Sequence, residues 1–246
     1  MNGTNPGITS IEKHPGSYQL GRWINRFSRH WILVFGLIMG LYVGLPFLAP
    51  ILIKSGWEPL ARSIYLIYSF QCHQLPQRSY FLFGSKMTYS LTEIQALSPT
   101  LLDPLILRKF IGNPEMGWKV AWSDRMVAMF ASIWIFGMLW KPLRGWLKPL
   151  PWWGLVLFLL PLIVDGTSHF MSDLYGIGQG FRDSNAWLAD LTKHAFSPAF
   201  YTGDVWGSFN SIMRLLTGIL FGLGIVWFGF PYIDDAISPR IEYVKP

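Results

Sequence analysis

The chain has 246 residues, of which 51% are hydrophobic, 17% aromatic and only 14% charged, and its formal net charge is +6. This balance is too apolar for an ordinary soluble domain. The positive charge does not indicate a nucleic-acid partner, because the lysines and arginines form short clusters beside apolar runs rather than one basic stripe. The predicted partners are membrane lipids, and the single cysteine excludes an intrachain disulfide.

The first 29 residues predict a basic segment that precedes the membrane domain. They include Arg22, Arg26 and Arg29 but no apolar core, so they do not resemble a cleaved signal peptide. We expect an irregular start followed by a basic, amphipathic helix on the cytoplasmic side. The remaining chain divides into a transmembrane helical domain at 30–235 and a C-terminal tail at 236–246.

Long uncharged runs predict four membrane-spanning helices. The first run covers residues 31–53, and its 23 residues cross the hydrocarbon at about 1.5 Å per residue. The second, Met126 to Trp140, reaches membrane length if its helix begins near Trp118 and carries Asp124 and Arg125 inward. The last two runs cover residues 149–164 and 215–233.

A fifth, weaker segment covers Pro59 to Phe70, whose 12 residues are typical of an interfacial or re-entrant helix. Arg62, Tyr65, Ser69 and His73 recur at steps of three or four, so one helix would place them on a single face. Pro76 then ends the helix. The sequence therefore predicts an all-α integral membrane protein, a bundle of four transmembrane helices plus one partial or tilted helix.

The two long loops, near 80–118 and 170–204, predict short helices that cap the bundle. "SLTEIQAL" has Ser90 and Glu93 at capping-box spacing. "DPLILRKFIG" predicts a second short helix ending at Gly112, and "SNAWLADLTKHAF" a third, with Asn185 as its cap.

The basic residues also predict an orientation in the plasma membrane. With four crossings, the N-terminus, the C-terminus and the short loop containing Lys141, Arg144 and Lys148 all face the cytoplasm, as the positive-inside rule favours. A fifth crossing by residues 59–70 would move that loop outside, which the rule disfavours. We therefore expect a multi-pass cell-membrane protein with a cytoplasmic N-terminus.

Ionisable residues inside apolar runs predict partners, because burying them alone is costly. Arg214 needs a carboxylate, and Asp124 and Asp165 are the candidates on neighbouring spans. Asp165 and His169 are four residues apart and would share a helix face as an ion pair or as two metal ligands. Spaced glycines, Gly218 and Gly222 among them, favour close helix packing.

These residues define a predicted polar site at one end of the bundle, made of Cys72, His73, Arg78, Ser79, Asp124, Arg125, Asp165, His169 and Arg214. Four of them have ligand chemistry suited to zinc or another transition metal, namely Cys72, His73, Asp165 and His169. Adjacent cysteine and histidine match no standard zinc spacing, and no second cysteine exists, so the sequence does not decide whether a metal is bound. It also assigns no catalytic residue.

Four stretches together resemble a family of prokaryotic membrane proteins known as the domain of unknown function number two thousand and eighty-five. They are "CHQLPQRSYFLFG", "WSDRM", "DG" at 165–166 and "NSIMRLLTGILFG". The resemblance covers about residues 58–230, and the family has no established activity. It implies signature positions at Cys72, His73, Arg78, Ser79, Asp124 or Arg125, Asp165, Gly166, Arg214 and Gly218. Many members carry further cysteines just before the span that begins here at Ser123, where this chain has none.

Three functions fit this sequence. The first is binding, and movement, of a small anionic solute or lipid headgroup, with arginines supplying charge and aspartates holding them in position. The second is a membrane-embedded hydrolase or transferase that uses His73 or Asp165 as base and a metal on Cys72, His73 and His169. The third is an accessory subunit of a larger membrane complex, in which the same polar residues are internal ties.

Overall fold

The computed structural model describes the backbone of residues 15–237 and the side chains of residues 28–237. Two 3₁₀ turns, Pro76–Arg78 and Pro99–Leu102, join its regular elements. Residues 1–14 of the predicted basic segment (1–29) and residues 238–246 of the predicted tail (236–246) lie outside the described residues. The elements are α1 Pro15–Lys54, α2 Glu58–Ser69, β1 Ser79–Leu82, α3 Leu91–Gln95, α4 Pro104–Lys109, β2 Gly112–Asn113, β3 Gly117–Ser123, α5 Asp124–Leu143, α6 Trp152–Asp173, α7 Phe181–Ser184, α8 Ala186–Leu191, α9 Pro198–Tyr201 and α10 Phe209–Ile237.

Four helices are long and apolar enough to cross a membrane, as predicted: Ser28–Lys54 within α1, and the whole of α5, α6 and α10. Their outer surfaces carry exposed leucines such as Leu37 and Leu157, which hydrocarbon accepts at no cost. The all-α membrane class is therefore confirmed. The third and fourth helices extend beyond the apolar runs, so that Asp165, His169 and Arg214 all lie on spans.

The second span does not begin near Trp118, because residues 117–123 form a strand. This strand, β3, is the centre of a small antiparallel sheet in the order β1-β3-β2, with Ser79 opposite Ser123 and Gly112 opposite Trp118. Its side chains are almost continuously buried rather than alternating, so the period of two that marks a half-exposed strand is missing. No pattern in the sequence indicates this sheet.

The short helix α2 packs on α1 and β3 and buries Ala61, Ile64, Tyr65 and Tyr68. Its opposite side is apolar and exposed, with Phe70 just beyond its end at 85% exposure. At 12 residues it falls below membrane-spanning length. It ends at Ser69, so the prediction that His73 shares its polar face is wrong.

The two long connections, residues 55–123 and 174–208, meet at one end of the bundle. Arg78, from the first connection, binds Asp173 at the end of α6, and Arg214, near the start of α10, binds Asp124 at the start of α5. We call this the loop end. At the opposite end, Asp234 accepts hydrogen bonds from the indoles of Trp31 and Trp140 at 3.0 and 2.7 Å and so ties α10 to α1 and α5.

The loop helices follow the sequence expectation in part. The capping box of Ser90 and Glu93 is present at the start of α3. Helix α4 ends at Lys109, before Gly112, which belongs to β2. Asn185 precedes α8 but does not cap it with its side chain, because its backbone is left-handed (φ 42°) and its Nδ2 donates to the carbonyls of Arg182 and Tyr201.

Two glycines let α10 approach α5 closely. A Cβ on Gly218 would lie 2.7 Å from Ala128 Cβ, and one on Gly222 would lie 2.0 Å from Ser132 Oγ and 2.8 Å from the backbone nitrogen of Ile133. Side chains larger than hydrogen would therefore push the two helices apart. This contact sets the position of α10, which carries Arg214 to the loop end.

Candidate functional site

The segment CHQLPQRS (72–79) forms a fixed turn between α2 and β1. Gln74 takes a positive φ of 52°, and its Nε2 donates to the carbonyls of Tyr65 at 2.8 Å and Ala121 at 3.0 Å. Pro76 opens the 3₁₀ turn, and Ser79 Oγ donates to the Leu75 carbonyl. The side-chain amide of Gln74 thereby fastens the helix to the sheet, and the turn carries Arg78 to the bundle.

Arg78 and Arg214 meet at one carboxylate. Arg78 donates from Nη1 and Nη2 to the two oxygens of Asp173, both at 2.7 Å, and from Nε to Asp204 Oδ2 at 2.9 Å. Arg214 donates from Nε to Asp124 at 2.8 Å and from Nη1 to Asp204 Oδ1 at 2.5 Å. Paired guanidinium and carboxylate groups of this kind make the strongest hydrogen bonds in proteins.

A second branch is centred on Asp165. Its Oδ2 accepts from Arg125 Nη2 at 2.6 Å, and its Oδ1 accepts from Arg182 Nη2 at 2.7 Å. The same Arg182 Nη2 lies 3.1 Å from His169 Nε2, and Arg182 Nε donates to Asn210 at 3.1 Å. His169 is buried, and because its Nε2 faces a donor it is a neutral acceptor there.

The two branches together have no formal net charge, since the network consists of four arginines and four aspartates. Desolvation of a buried charge is offset only when it is paired and hydrogen-bonded, and each of these groups has such a partner. The members are Arg78, Arg125, Arg182, Arg214, Asp124, Asp165, Asp173 and Asp204.

The network sets the ionisation of its loop members. Burial alone would raise the pKa of Asp204, but the guanidiniums of Arg78 and Arg214 outweigh it and hold that pKa well below its usual range. Burial also opposes the charge on Arg78, and the carboxylates of Asp204 and Asp173 raise its pKa in spite of it. These ion pairs therefore stay charged at neutral pH.

The sequence-predicted site residues separate into two groups. Arg78, Asp124, Arg125, Asp165, His169 and Arg214 come together in the network. Of the two carboxylates predicted for Arg214, Asp124 binds it and Asp165 does not. Cys72 and His73 lie beside the network: Cys72 Sγ accepts from the backbone of Gln74 at 3.3 Å, and His73 is exposed. Ser79 bonds locally to the Leu75 carbonyl.

The four predicted metal ligands, Cys72, His73, Asp165 and His169, do not form a cluster. Within the described part of the chain, no group of three or more histidine, cysteine, aspartate or glutamate side chains is arranged to hold a metal ion. His73 is exposed on the turn, whereas Asp165 and His169 are buried on α6 and bound to Arg182.

A cavity of about 180 Å³ opens between the turn and the arginines. Arg125 contributes a buried Nε that has no hydrogen-bond partner among the described residues. Three guanidinium groups line the cavity, and none of its lining residues is acidic. The lining residues are Gln71, Cys72, His73, Gln74, Leu75, Arg78, Ser123, Arg125, Met126 and Arg214.

Sequence reasoning missed Asp173, Arg182 and Asp204, which are three of the eight charged members of the network. All three lie at the end of a span or in a loop, where a charged residue is ordinary, and only the fold shows that they are buried or paired. It also missed Lys119, which is fully buried on β3. Its Nζ donates to the carbonyls of Gln74 at 2.6 Å and Arg108 at 2.9 Å.

Four apolar spans, three of them joined by a buried polar network, make this a polytopic membrane protein. Residues 115–228 match the sequence model of a family described as "Predicted membrane protein (DUF2085)", which supports the family resemblance and its membrane character. The CHQLPQRS turn precedes the matched range. The chain is also similar to an uncharacterized protein of Methanocaldococcus jannaschii, at 26% identity over 220 residues, which cover 87% of this chain and 99% of that protein. No solved structure matches the chain.

Proposed function

We propose that the cavity at the loop end binds a small oxyanion, such as phosphate or sulfate or the equivalent group of an anionic solute. The observation that carries this proposal is the buried Nε of Arg125, a charged donor with no partner among the described residues, beside a cavity without acidic lining. A buried donor left unpaired costs free energy, and an anion in the cavity would recover it.

The donors around the cavity suit an anion with several oxygens. A guanidinium has five N–H groups in a planar fork, and the one hydrogen bond of Arg125 to Asp165 leaves most of them free. Arg78 and Arg214 lie on the same cavity but have already committed part of their donors to aspartates. Arg125 is therefore the principal ligand, and Arg78 and Arg214 can add only the donors that their aspartates leave free.

The size of the cavity fits the same class of ligand. Its 180 Å³ is several times the roughly 30 Å³ that one water molecule occupies in the liquid. The cavity therefore has room for an ion of several atoms. Aspartates behind Arg78 and Arg214 keep both guanidiniums in fixed positions, so little side-chain entropy is lost on binding.

The test is equilibrium binding of radiolabelled phosphate and sulfate to the purified full-length protein in mild detergent. We expect saturable binding at one site, and we expect Arg125→Lys to weaken it at least about tenfold, because lysine keeps the charge but lacks the Nε donor and the planar fork. Arg144→Lys makes the same chemical change at an exposed position at the opposite end and should leave binding unchanged. Equal binding by wild type and Arg125→Lys would refute the proposal.

We also infer the orientation of the protein in the plasma membrane. The positive-inside rule supports a cytoplasmic location for the N-terminus and for the connection that contains Lys141, Arg144 and Lys148. The loop end, with its cavity, would then face the outside of the cell. In this orientation the site would take its anion from the external medium.

A further inference from the structure

A second basic site lies in a groove of about 390 Å³ between α2 and α4, which shares only Gln74 with the lining of the arginine cavity. Arg62 and Ser69 line it from the α2 side, and Arg108 and Lys109 from the α4 side. The lining holds three cationic side chains and no carboxylate. None of these cations belongs to the arginine–aspartate network.

The cations of the groove are available to a ligand. Lys109 is exposed and makes no ion pair within residues 28–237. Arg62 is paired only with Glu58, at 2.5 Å, on the surface, where side-chain exposures of 62% and 55% leave such a pair weak. Arg108 donates one hydrogen bond, from Nη2 to the Ser69 carbonyl at 2.9 Å.

The rims of the groove are apolar and exposed. Leu66 projects from α2 at 62% exposure and Leu105 from α4 at 68%, and both line the groove. Phe70, directly after α2, and Leu102, two residues before α4, are also apolar and exposed. Helix α2 begins four residues after the first span ends at Lys54, so this surface lies at the boundary of the hydrocarbon.

A buried lysine lies beneath the floor of the groove. Gln74 and Arg108 line the groove, and their carbonyls both accept hydrogen bonds from the buried Nζ of Lys119. Lys119 has no carboxylate partner within the described side chains. Its hydrogen bonds hold the backbone of Gln74 and Arg108 in place at the floor of the groove, and the positive charge of the site comes from Arg62, Arg108 and Lys109.

We propose that this groove binds the phosphate headgroup of an anionic membrane lipid, with its acyl chains along the exposed leucines of α2 and α4. Charge complementarity selects an anion, and the apolar rims at the membrane boundary select one attached to acyl chains. A soluble anion would gain nothing from Leu66 and Leu105. The groove shares none of its cationic residues with the arginine cavity and does not depend on the function proposed for that cavity.

Native mass spectrometry of the full-length protein tests this proposal, using short-chain phosphatidylglycerol and phosphatidylcholine of equal chain length. We expect wild type to retain the anionic lipid preferentially, and each of Arg62→Gln and Lys109→Gln to lower that preference about fivefold, the usual effect of one basic residue at an anionic surface. Both side chains are exposed, so neither change endangers folding. The double change Lys141→Gln/Lys148→Gln, at the other end, should leave the preference intact.

Two further arms separate the alternatives. Arg125→Lys should keep the lipid preference, because Arg125 lies in the other cavity, and an excess of inorganic phosphate should leave the bound lipid in place. The proposal is overturned if wild type shows no preference, if both groove variants keep it, if Arg125→Lys abolishes it, or if phosphate displaces the lipid.

Discussion

Arg78 and Arg214 bind opposite oxygens of the same carboxylate, that of Asp204, at 2.9 and 2.5 Å. Arg78 belongs to the turn that follows α2, and Arg214 to the last span. Asp204 itself lies in the loop between α9 and α10. This one side chain therefore joins both long connections to the bundle and fixes two of the guanidiniums that surround the cavity.

Replacement of Asp204 by asparagine should be among the most damaging single changes at the loop end. Two buried guanidiniums would each lose a charged acceptor, and we expect the free energy of unfolding to fall by about 3 to 5 kcal/mol. Denaturant titration in mild detergent measures it. Asp190→Asn is the matched control, since this side chain is 80% exposed and its loss should change stability by less than about 0.5 kcal/mol. Similar losses for both variants would show that Asp204 does not tie the loops together.

Gly222→Ala should destabilise the bundle even though alanine favours helix. The new Cβ would lie 2.8 Å from the backbone nitrogen of Ile133, and a backbone atom cannot rotate away. We expect a loss of about 1 to 3 kcal/mol from overpacking. Gly44→Ala serves as the control, because no atom lies within 4 Å of its Cβ position. Thermal unfolding of the two variants compares them, and a neutral Gly222→Ala would mean that α5 and α10 are not in close contact.

Lys119 predicts a pH dependence of stability. Burial lowers the pKa of Lys119 to about 7, whereas an unfolded lysine titrates near 10.4. Between these values the unfolded chain binds a proton that the native chain does not, so this residue makes stability rise with pH from about 7 to 10, by at most about 1.4 kcal/mol per unit. Unfolding of wild type and Lys119→Met at several pH values isolates this contribution, because all other groups are common to both. If the free energies of unfolding of wild type and Lys119→Met changed in parallel with pH, the lowered pKa of Lys119 would be contradicted.

The orientation can be read from cysteine labelling on intact cells. Cys72, the chain's only cysteine, lines the cavity at the loop end. We expect a membrane-impermeant maleimide to label it, and not to label Gly145→Cys placed in a Cys72→Ser background. Both should react after the membrane is permeabilised. Labelling of only the second protein on intact cells would reverse the orientation.

Sequence reasoning located the spans because hydrocarbon imposes a minimum length and excludes charge, and both constraints are local along the chain. For the same reason it predicted Asp124 and Asp165 as the candidate partners of Arg214, since an arginine inside a span needs an acid on a neighbouring span, and Asp124 is the one that binds it. It failed at β3, where residues 117–123 run directly into α5 and the strand is buried on both faces. Neither a turn sequence nor an alternating pattern of apolar and polar residues marked the boundary between β3 and α5.

The remaining site residues could not be predicted, because their pairing depends on how the loops fold. Asp173 and Asp204 follow or precede spans, where unpaired carboxylates in water are ordinary, and nothing nearby in sequence indicates that both bind Arg78. His73 had the right spacing for the polar face of α2, but the helix ends at Ser69. Gln74, whose side-chain amide holds the turn, is uncharged, so its burial is not unusual enough in the sequence to predict a structural role.

Selenate bound to crystals of the full-length protein tests the central claim most directly, because the anomalous signal of selenium shows where an oxyanion lies. We expect one strong peak in the cavity at the loop end, with selenate oxygen within hydrogen-bond distance of Arg125 Nε, and its loss in Arg125→Lys crystals. An empty cavity beside an ordered Arg125, at selenate concentrations that saturate other phosphate sites, would contradict the account.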